Sequence, residues 1–330
     1  METPFSPIVV VLLLVLAAEF VNGWTDAPNA IATVVSTRVL GPWQALGMAA
    51  VLNTLGAMSG TAVAATIGKG IVQPQTIGLA TVAAAMVAVV VWSTLAWYYG
   101  LPTSESHALI AGLSGAGLAA AGPEVLIWDG WRKVLIGLVF SSCLGFFGAL
   151  SLTLLIYWLF RRRRPGTLRQ AFGRLQLLSA AFMAFSHGSN DGQKFIGVFT
   201  LALVLGGVLP EFLVPSWVIL LCALTMGVGT ALGGWRIVRT MGLRLTKLDS
   251  LHGFAAETAA ASAIELASRL GIPLSTTQTI STAIMGVGST RRLSAVRWCV
   301  GREIVTAWVL TFPACGLIAW GVAKLLVLLP

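Results

Sequence analysis

Two polar stretches interrupt long apolar runs of the 330-residue chain, one in each half. The first runs from Asn22 to Asn29, and the second runs from Ser186 to Lys194. Each contains a Gly, an Asp and a polar residue three positions after the Asp. A carboxylate in hydrocarbon costs at least about 2.5 kcal/mol, so such residues are typical of functional sites. Two interruptions in corresponding positions predict a binding site where broken membrane helices of a duplicated chain meet.

Two hydroxyl-rich stretches form a second repeated pattern, from Leu101 to Leu109 and from Ile272 to Ile280. In each, a Pro precedes Ser and Thr residues and then a helix of small residues. Hydroxyls and unpaired backbone N–H groups at a helix N-terminus attract an anion, and the helix dipole adds to this attraction. Two copies that face each other would surround phosphate or sulfate with donors. The simpler alternative is that these hydroxyls only cap helices or bond to the helix backbone.

Six acidic residues fall within apolar segments and need partners there. They are Glu19, Asp26, Glu105, Asp191, Glu257 and Glu265. Lys194 follows Asp191 closely enough to neutralise it, whereas the others would bind Na⁺, take up H⁺ or accept hydrogen bonds from opened backbone. Glu265 fits equally well in an ion pair with a loop arginine.

The composition predicts an all-α integral membrane protein. Hydrophobic residues make up 57% of the chain, charged residues only 10%, and mean hydropathy is +0.87. The long apolar runs favour helices over an alternating β-barrel. The formal charge of +9 lies in short loops beside these runs, so no nucleic-acid partner is expected. The four cysteines lack metal-ligand spacing and are interpreted as packing residues.

The apolar segments number five in each half, and the motifs of the two halves keep nearly the same order and spacing. Because five crossings is odd, the second half must enter the membrane from the opposite face. We therefore expect an inverted-repeat secondary transporter with broken helices or re-entrant hairpins. Its parts are a first membrane repeat over residues 1–160, a basic cytoplasmic linker over 161–174 and a second, inverted repeat over 175–330.

The positive residues predict the orientation, because cytoplasmic loops accumulate Lys and Arg. Counting them places both termini outside and the linker inside a multi-pass plasma-membrane protein, and a re-entrant hairpin would change the number of crossings. Only Glu2 is charged before the first apolar run, so that segment is expected to remain and not to be a cleaved signal peptide.

At these motifs the chain resembles the inorganic phosphate transporter family, PiT. The resemblance is carried by Asn22-Gly23, Asp26 and Asn29 to Thr33 in the first half, by Ser186 to Gly188, Asn190-Asp191 and Gln193-Lys194 in the second, by both hydroxyl-rich stretches, and by Gly234 to Arg236 and Gly253 to Glu257. It covers nearly the whole chain. It implies a secondary transporter that binds phosphate and coupling cations near the middle of the membrane.

The resemblance also implies roles for individual residues. Phosphate binding is implied for Asp26, Asn29, Ser104, Ser106, Asp191, Gln193, Ser275, Thr276 and Thr277. Cation coupling is implied for Asn22, Thr25, Asp26, Asn190, Asp191 and Glu257; Glu105 is a further coupling candidate because of its carboxylate and not because of the resemblance. Two positions depart from the family: Glu105 stands where Ser or Thr is usual, and Gln278 where His is frequent. A carboxylate beside phosphate would repel it, so we expect Glu105 to point away from the anion or to belong to the coupling machinery.

The function expected from the sequence is a symporter that couples inorganic phosphate to Na⁺ or H⁺ by alternating access. No enzyme activity, no cofactor and no metal beyond Na⁺ are expected; the partners are phosphate and membrane lipid, with a homo-oligomer left open. A permease for sulfate or another tetrahedral oxyanion is the first alternative, and a passive channel is disfavoured by the duplication. An intramembrane hydrolase using Ser186, His187 and Asp191 is a remote alternative, because these residues are too crowded for a triad.

Overall fold

The computed structural model describes residues 6–328, which are almost entirely helical. The only extended pairing within that range is an isolated antiparallel bridge between Val72 and Leu126. Helices satisfy their own backbone hydrogen bonds, as a chain in hydrocarbon requires. The all-α class predicted from the sequence is confirmed, while the argument about a signal peptide rests partly on residues 1–5, which lie outside the described residues.

The order of helices in the first half is repeated in the second. The first half contains α1 (Pro7–Ser36), α2 (Pro42–Ala57), α3 (Ala62–Gly70), α4 (Leu79–Tyr99), α5 (Glu105–Ala121), α6 (Trp128–Cys143) and α7 (Ala149–Phe160). The second half contains α8 (Pro165–Leu205), α9 (Ser216–Leu232), α10 (Trp235–Arg239), α11 (Ser250–Arg269), α12 (Thr276–Ser289) and α13 (Trp298–Leu328). A π-helical turn, Leu144–Gly148, joins α6 to α7, and another, Thr240–Arg244, extends α10.

Within residues 6–328, four helices are long and apolar enough to cross a membrane: α1, α4, the continuous α6–α7 and α13. Two bent pairs bring the number to six if each counts as one span. The bend is 69° between α2 and α3 and 60° between α9 and α10. These breaks occupy corresponding places in the two halves, which is the broken-helix arrangement of an inverted repeat.

The breaks do not lie where the sequence pattern placed them. α1 continues through Asp26 and Pro28, and α8 continues through Asp191, without interruption. Proline removes one hydrogen bond but does not end this helix. Its ring packs against Gly234, where an added Cβ would lie 2.9 Å from the ring. The chain breaks instead in the neighbouring pairs, α2–α3 and α9–α10.

The basic linker is also shorter than expected. α8 begins at Pro165, so only residues 161–164 separate the helices, and residues 165–174 form its first turns. Proline is favoured at the first helical position, where its missing N–H is not needed. Phe172 then fixes these turns because its ring is 3% exposed and packs against Phe160 and Phe254.

Two apolar clusters lie on opposite sides of a polar middle layer. On α1, Val11, Val15 and Ala18 belong to one cluster, and residues 30–34 contribute to the other. α8 meets the same two clusters in the reverse order along the chain. The two helices are therefore antiparallel equivalents, and the polar residues of both lie between the clusters.

Glycines let the polar helices approach their neighbours closely. A Cβ on Gly23 would collide with the carbonyl of Met226 on α9, and a Cβ on Gly188 would collide with the carbonyl of Asn53 on α2. Each polar helix thus packs directly against the backbone of a bent pair from the other half. The glycines of the two motifs serve this close approach.

Candidate functional site

Three helices bring polar side chains together in the middle layer. Asn29 on α1 donates through Nδ2 to Thr277 Oγ1 at 2.9 Å and to Thr276 Oγ1 at 3.3 Å. Thr277 donates to Asp26 Oδ2 at 3.3 Å, and Thr276 donates to Asp191 Oδ2 at 2.7 Å. All five side chains are at most 4% exposed. The two Asp motifs and the second hydroxyl-rich stretch therefore share one buried site.

Lys194 joins the first hydroxyl-rich stretch to the same site. Its ammonium forms an ion pair with Asp191, donates to the Ser106 hydroxyl and donates to the Leu274 carbonyl at 3.0 Å. Ser106 also donates to the Leu274 carbonyl, at 2.8 Å. The N-terminal regions of α5 and α12 consequently meet, as expected from the repeated sequence pattern.

Both stretches begin a helix inside the protein. The Ser104 hydroxyl accepts from the His107 N–H at 3.4 Å, and the Ser275 hydroxyl accepts from the Gln278 N–H at 3.1 Å. α12 has 14 residues and is about 20 Å long, shorter than the roughly 30 Å hydrocarbon core of a bilayer. Ser104 and Ser275 thus act as helix caps, while the residues that follow them reach the site.

His187 lies against the same carboxyl oxygen of Asp191 that accepts from Thr276. Its Nε2 is 3.2 Å from Asp191 Oδ2, and its Nδ1 is 3.1 Å from Asn53 Oδ1 on α2. Ligand atoms of Asp26, His187 and Asp191 all lie within 4.8 Å of one another. An imidazole nitrogen beside two carboxylates is a set that a divalent cation can bind.

Glu105 is hydrogen-bonded to residues other than Thr276 and Thr277. One carboxyl oxygen accepts from Thr25 at 3.0 Å, and the other accepts from Ser93 on α4 at 2.8 Å. Glu105 and Thr25 were both candidates for cation coupling, and the structure joins them in one small cluster beside the site.

Three candidate residues contact other parts of the fold. Gln193 accepts from the Val63 N–H at the start of α3 at 3.0 Å, so it caps the second helix of a bent pair. Asn190 donates to Ser268 on α11 at 2.9 Å. Asn22 donates to Glu19 at 3.0 Å, one turn earlier on α1. None of these three side chains is hydrogen-bonded to the hydroxyls of Thr276 and Thr277.

Glu257 on α11 forms a separate buried cluster. It accepts from Thr33 at 2.6 Å, from Gln176 at 3.0 Å and from Ser179. Thr33 is two turns beyond Asp26 on α1, a separation of about 10 Å. The candidate cation residues therefore fall into more than one cluster.

Negative groups outnumber positive ones in the interior. The buried carboxyl groups belong to Glu19, Asp26, Glu105, Asp191 and Glu257, and Lys194 is the single buried Lys or Arg within residues 6–328. Unpaired charge in a poorly solvated interior is costly. Protons or bound cations must therefore compensate most of these carboxylates.

Sequence reasoning missed the part that two residues play in this site. Lys194 was interpreted only as a counter-ion for Asp191, although an ammonium within an apolar run is itself a signal of function. His187 was considered only for a hydrolase. The structure does not support that arrangement, because both ring nitrogens face Asn53 and Asp191, and no hydrogen bond to Ser186 Oγ occurs among the described residues.

Known proteins are similar to this chain in sequence and in fold. Residues 22–319 match the Phosphate transporter family. A probable low-affinity inorganic phosphate transporter of Rhizobium meliloti (strain 1021) is 45% identical over 317 residues, covering 96% of this chain and 95% of its own. A protein of the same description from Bacillus subtilis (strain 168) is 38% identical, covering 92% of each chain.

A solved structure described as the sodium-dependent phosphate transporter superposes with a TM-score of 0.89 at 24% identity. The match covers 99% of this chain and 100% of the other, which shows a shared fold. Since the family match and the bacterial relatives both extend over nearly the whole sequence, the chain belongs to the phosphate transporter family, whose members are transporters and not enzymes.

Proposed function

We propose that this protein is an inorganic phosphate symporter that is driven by Na⁺ or H⁺ and works by alternating access. The observation that carries the proposal is the convergence of both Asp motifs and both hydroxyl-rich stretches on one buried site. The relatives described as low-affinity inorganic phosphate transporters support phosphate as the substrate.

Phosphate is bound by donors from both halves of the chain. The hydroxyls of Ser106, Thr276 and Thr277 and the amide of Asn29 supply neutral donors, and Lys194 supplies the positive charge. The N-termini of α5 and α12 add backbone N–H groups and a favourable dipole. Ser104 and Ser275 cap α5 and α12, which present the hydroxyl donors, while Gln193 caps the neighbouring helix α3.

Cations enter with phosphate because the interior already carries an excess of carboxylates. Asp26 and Asp191 take the coupling cation beside the anion. The side-chain amide oxygen of Asn29, which has no hydrogen-bond partner in residues 6–328, is a further ligand for it. Moving one uncompensated charge against 100 mV costs about 2.3 kcal/mol, so neutralisation lowers the barrier to transport. The solved relative described as sodium-dependent supports Na⁺ as the cation.

Two further clusters take part in coupling. Glu105 with Thr25 adjoins the phosphate site, and Glu257 on α11 accepts from Thr33, which lies two turns beyond Asp26 on α1. The side-chain amide oxygens of Asn22 and Asn190 are buried and have no hydrogen-bond partner within the described residues. Each is therefore available as a cation ligand. These clusters would let cation binding precede or follow phosphate without occupying its site.

Alternating access requires the site to open to one face at a time. In this structure the site is closed, because its side chains are buried and an apolar cluster lies on each side of it. The inverted repeats, residues 6–160 and 165–328 of the described chain, move relative to each other and so open one cluster or the other. The positive residues orient the protein with both termini outside the plasma membrane.

A second candidate cargo is a complex of phosphate with a divalent cation. One observation favours it: a ring nitrogen of His187 lies close to the carboxylates of Asp26 and Asp191. Such a set of ligands binds a divalent metal ion more tightly than it binds Na⁺. In that case the metal neutralises the anion and travels with it.

Uptake of labelled phosphate into proteoliposomes tests the function, with Na⁺ and pH gradients imposed separately. We expect saturable uptake against a phosphate gradient, and this uptake should require either the Na⁺ gradient or the pH gradient.

Dependence on added Mg²⁺ without either gradient would favour the metal complex. Equal competition by sulfate would contradict selectivity for phosphate, since protonated phosphate can donate to a carboxylate and sulfate cannot. Equilibration without accumulation under every gradient would exclude a symporter.

A further inference from the structure

A cavity remote from the candidate site lies where the end of α12 meets the segment between α10 and α11. Its volume is about 510 Å³, within the roughly 300–1,000 Å³ range of small-molecule sites. Its polar lining comprises Thr246, Lys247, Arg291, Arg292, Ser294 and Arg297. Since α12 is about 20 Å long and its other end carries Thr276, the cavity is distinct from the buried site.

The cavity carries uncompensated positive charge. Arg291 is paired with Asp249, at 2.6 Å. Lys247, Arg292 and Arg297 are exposed and form no ion pair within residues 6–328. Arg and Lys side chains that converge without acidic partners match the charge of phosphate groups, and Arg adds paired N–H donors.

Backbone hydrogen bonds fix the walls of the cavity. The Arg297 N–H donates to the Leu245 carbonyl at 2.9 Å, and the Thr246 hydroxyl donates to the Ala295 carbonyl at 3.0 Å. The two segments that carry the basic residues are therefore joined to each other. A preformed pocket loses less entropy when a ligand binds.

The first half builds the same corner without the charge. There the Ile127 N–H donates to the Ile71 carbonyl at 3.1 Å, just before α6, as Arg297 donates just before α13. The positions equivalent to Lys247, Arg291, Arg292 and Arg297 are occupied by Gln73, Ala121, Gly122 and Ile127. The fold does not need basic residues here. A general excess of positive charge on one membrane face does not by itself gather them around a cavity.

We propose that this cavity binds a phosphate-bearing anion with more than one negative charge, from a phospholipid headgroup or a soluble polyphosphate. Both sources present the same chemistry to Arg292, Arg297 and Lys247. Leu243, which is 59% exposed and lines the cavity, offers an apolar surface on which a lipid chain can lie. The site is separate from the transport pathway and binds its ligand whichever ion drives transport.

The test compares two double variants in purified protein. Arg292→Gln/Arg297→Gln removes two cavity charges, while Arg169→Gln/Arg174→Gln removes two exposed arginines that do not line the cavity. All proteins also carry Thr276→Val and Thr277→Val, which remove two of the hydroxyl donors and so weaken anion binding at the transport site. In one arm inorganic triphosphate is titrated at fixed ionic strength, and the thermal unfolding midpoint is measured. In the other, nanodiscs with cardiolipin or with phosphatidylcholine alone are compared by the same midpoint.

We expect triphosphate or cardiolipin to raise the midpoint of the parent protein and of the control. The apparent affinity of the cavity variant should be at least about tenfold weaker, as the loss of two charge-assisted contacts predicts. A response to triphosphate identifies a soluble ligand, and a response to cardiolipin alone identifies a headgroup. Equal responses of both double variants, or no response in either arm, would overturn the proposal.

Discussion

Asn29 in the first half donates a hydrogen bond of 2.9 Å to Thr277 in the second, 248 positions later in the chain. The contact has an inverted counterpart, in which Lys194 of the second half donates to Ser106 of the first. Helix α1 of the first repeat therefore contacts α12 of the second, and α8 of the second repeat contacts α5 of the first. The two contacts differ in charge, because an amide occupies one position and an ammonium the other. The two repeats are thus related by pseudo-symmetry, but the site between them is asymmetric in charge.

Lys194→Met should destabilise the protein, because it leaves Asp191 buried without its ion-pair partner. Breaking a buried pair on one side typically costs about 3–5 kcal/mol. The free energy of unfolding in detergent measures this loss. The double variant Lys194→Met/Asp191→Asn should recover most of it and still not accumulate phosphate. Concentrative uptake by the double variant would show that the pair serves folding alone.

Thr276→Val and Thr277→Val should each raise the KM for phosphate while leaving the fold intact. The replacement keeps the shape but removes a hydroxyl that now contacts Asp191 or Asp26. Hydrogen bonds to charged groups contribute about 1.5–3 kcal/mol, so the expected increase is about tenfold or more. Initial uptake rates over a range of phosphate concentrations give the KM.

Thr279→Val is the matched control for these two variants. Thr279 is equally buried on the same helix, but its hydroxyl donates to the Ser275 carbonyl within that helix, at 2.8 Å. Its KM should change less than about twofold, since the hydroxyl serves only the local backbone. If Thr279→Val raised KM as much as Thr277→Val, the hydroxyls would have no specific role in binding.

Glu105→Gln should alter the cation dependence of uptake and not the affinity for phosphate. The carboxyl faces Thr25 and Ser93, so its charge can attract a cation without contacting the anion. The cation concentration for half-maximal uptake should rise about tenfold, the effect of roughly 1.4 kcal/mol. Glu265→Gln is the control, because Glu265 pairs with the exposed Arg269. Unchanged Na⁺ and pH dependence in Glu105→Gln would remove Glu105 from the coupling machinery.

Gly188→Ala should impair folding, because the added Cβ meets the backbone of Asn53, which cannot move aside cheaply. Overpacking of this kind costs about 1–3 kcal/mol or more. Gly173→Ala on the same helix meets nothing within 4 Å and should stabilise it slightly, by about 0.5–1 kcal/mol. Thermal unfolding midpoints of the two variants should move in opposite directions. A tolerated Gly188→Ala would mean that the helices pack less closely than the structure shows.

The sequence predicted the helical membrane class, and it predicted several polar residues that lie together in the candidate site, because polar residues in apolar runs are conspicuous. Asp26, Asn29, Asp191 and Thr277 could be found in this way. It misplaced the breaks, since Pro28 suggested one, whereas packing against Gly234 keeps α1 continuous. Local pattern carries no information about such contacts between distant segments.

Side-chain roles were harder to predict than the location of the site. The family resemblance implied phosphate binding for Gln193, yet the start of α3 takes its oxygen as a cap. Ser104 and Ser275 likewise satisfy the backbone of their own helices. The sequence predicted Asp191 as a partner of Lys194 but not Ser106 or Leu274, because the Leu274 carbonyl is available only after α12 has packed against α8. Whether such a polar atom bonds to the backbone or remains available to a ligand depends on how the helices pack, which a local sequence pattern does not show.

The N-terminal end of α11 should lose stability in acid through its capping residue, Asp249. Burial raises the pKa of this carboxyl, but hydrogen bonds from His252 and the charge of Arg291 outweigh burial and hold the pKa well below its usual range. A lowered pKa in the folded state stabilises the protein above the ordinary Asp value of about 3.9. That contribution is lost as the pH falls below this value.

Asp249→Asn should therefore flatten the pH dependence of the unfolding midpoint between about pH 5 and pH 3, where this carboxyl takes up a proton in the unfolded wild-type chain but stays ionised in the folded protein. The difference between the midpoints of wild type and variant should shrink steadily as the pH falls through this range, because the ion pair with Arg291 then favours the folded state less and less. Asp129→Asn is the control, since Asp129 is exposed at the start of α6 and forms no ion pair within residues 6–328. An acid dependence in Asp249→Asn as steep as in Asp129→Asn would assign the effect to the buried carboxyls instead.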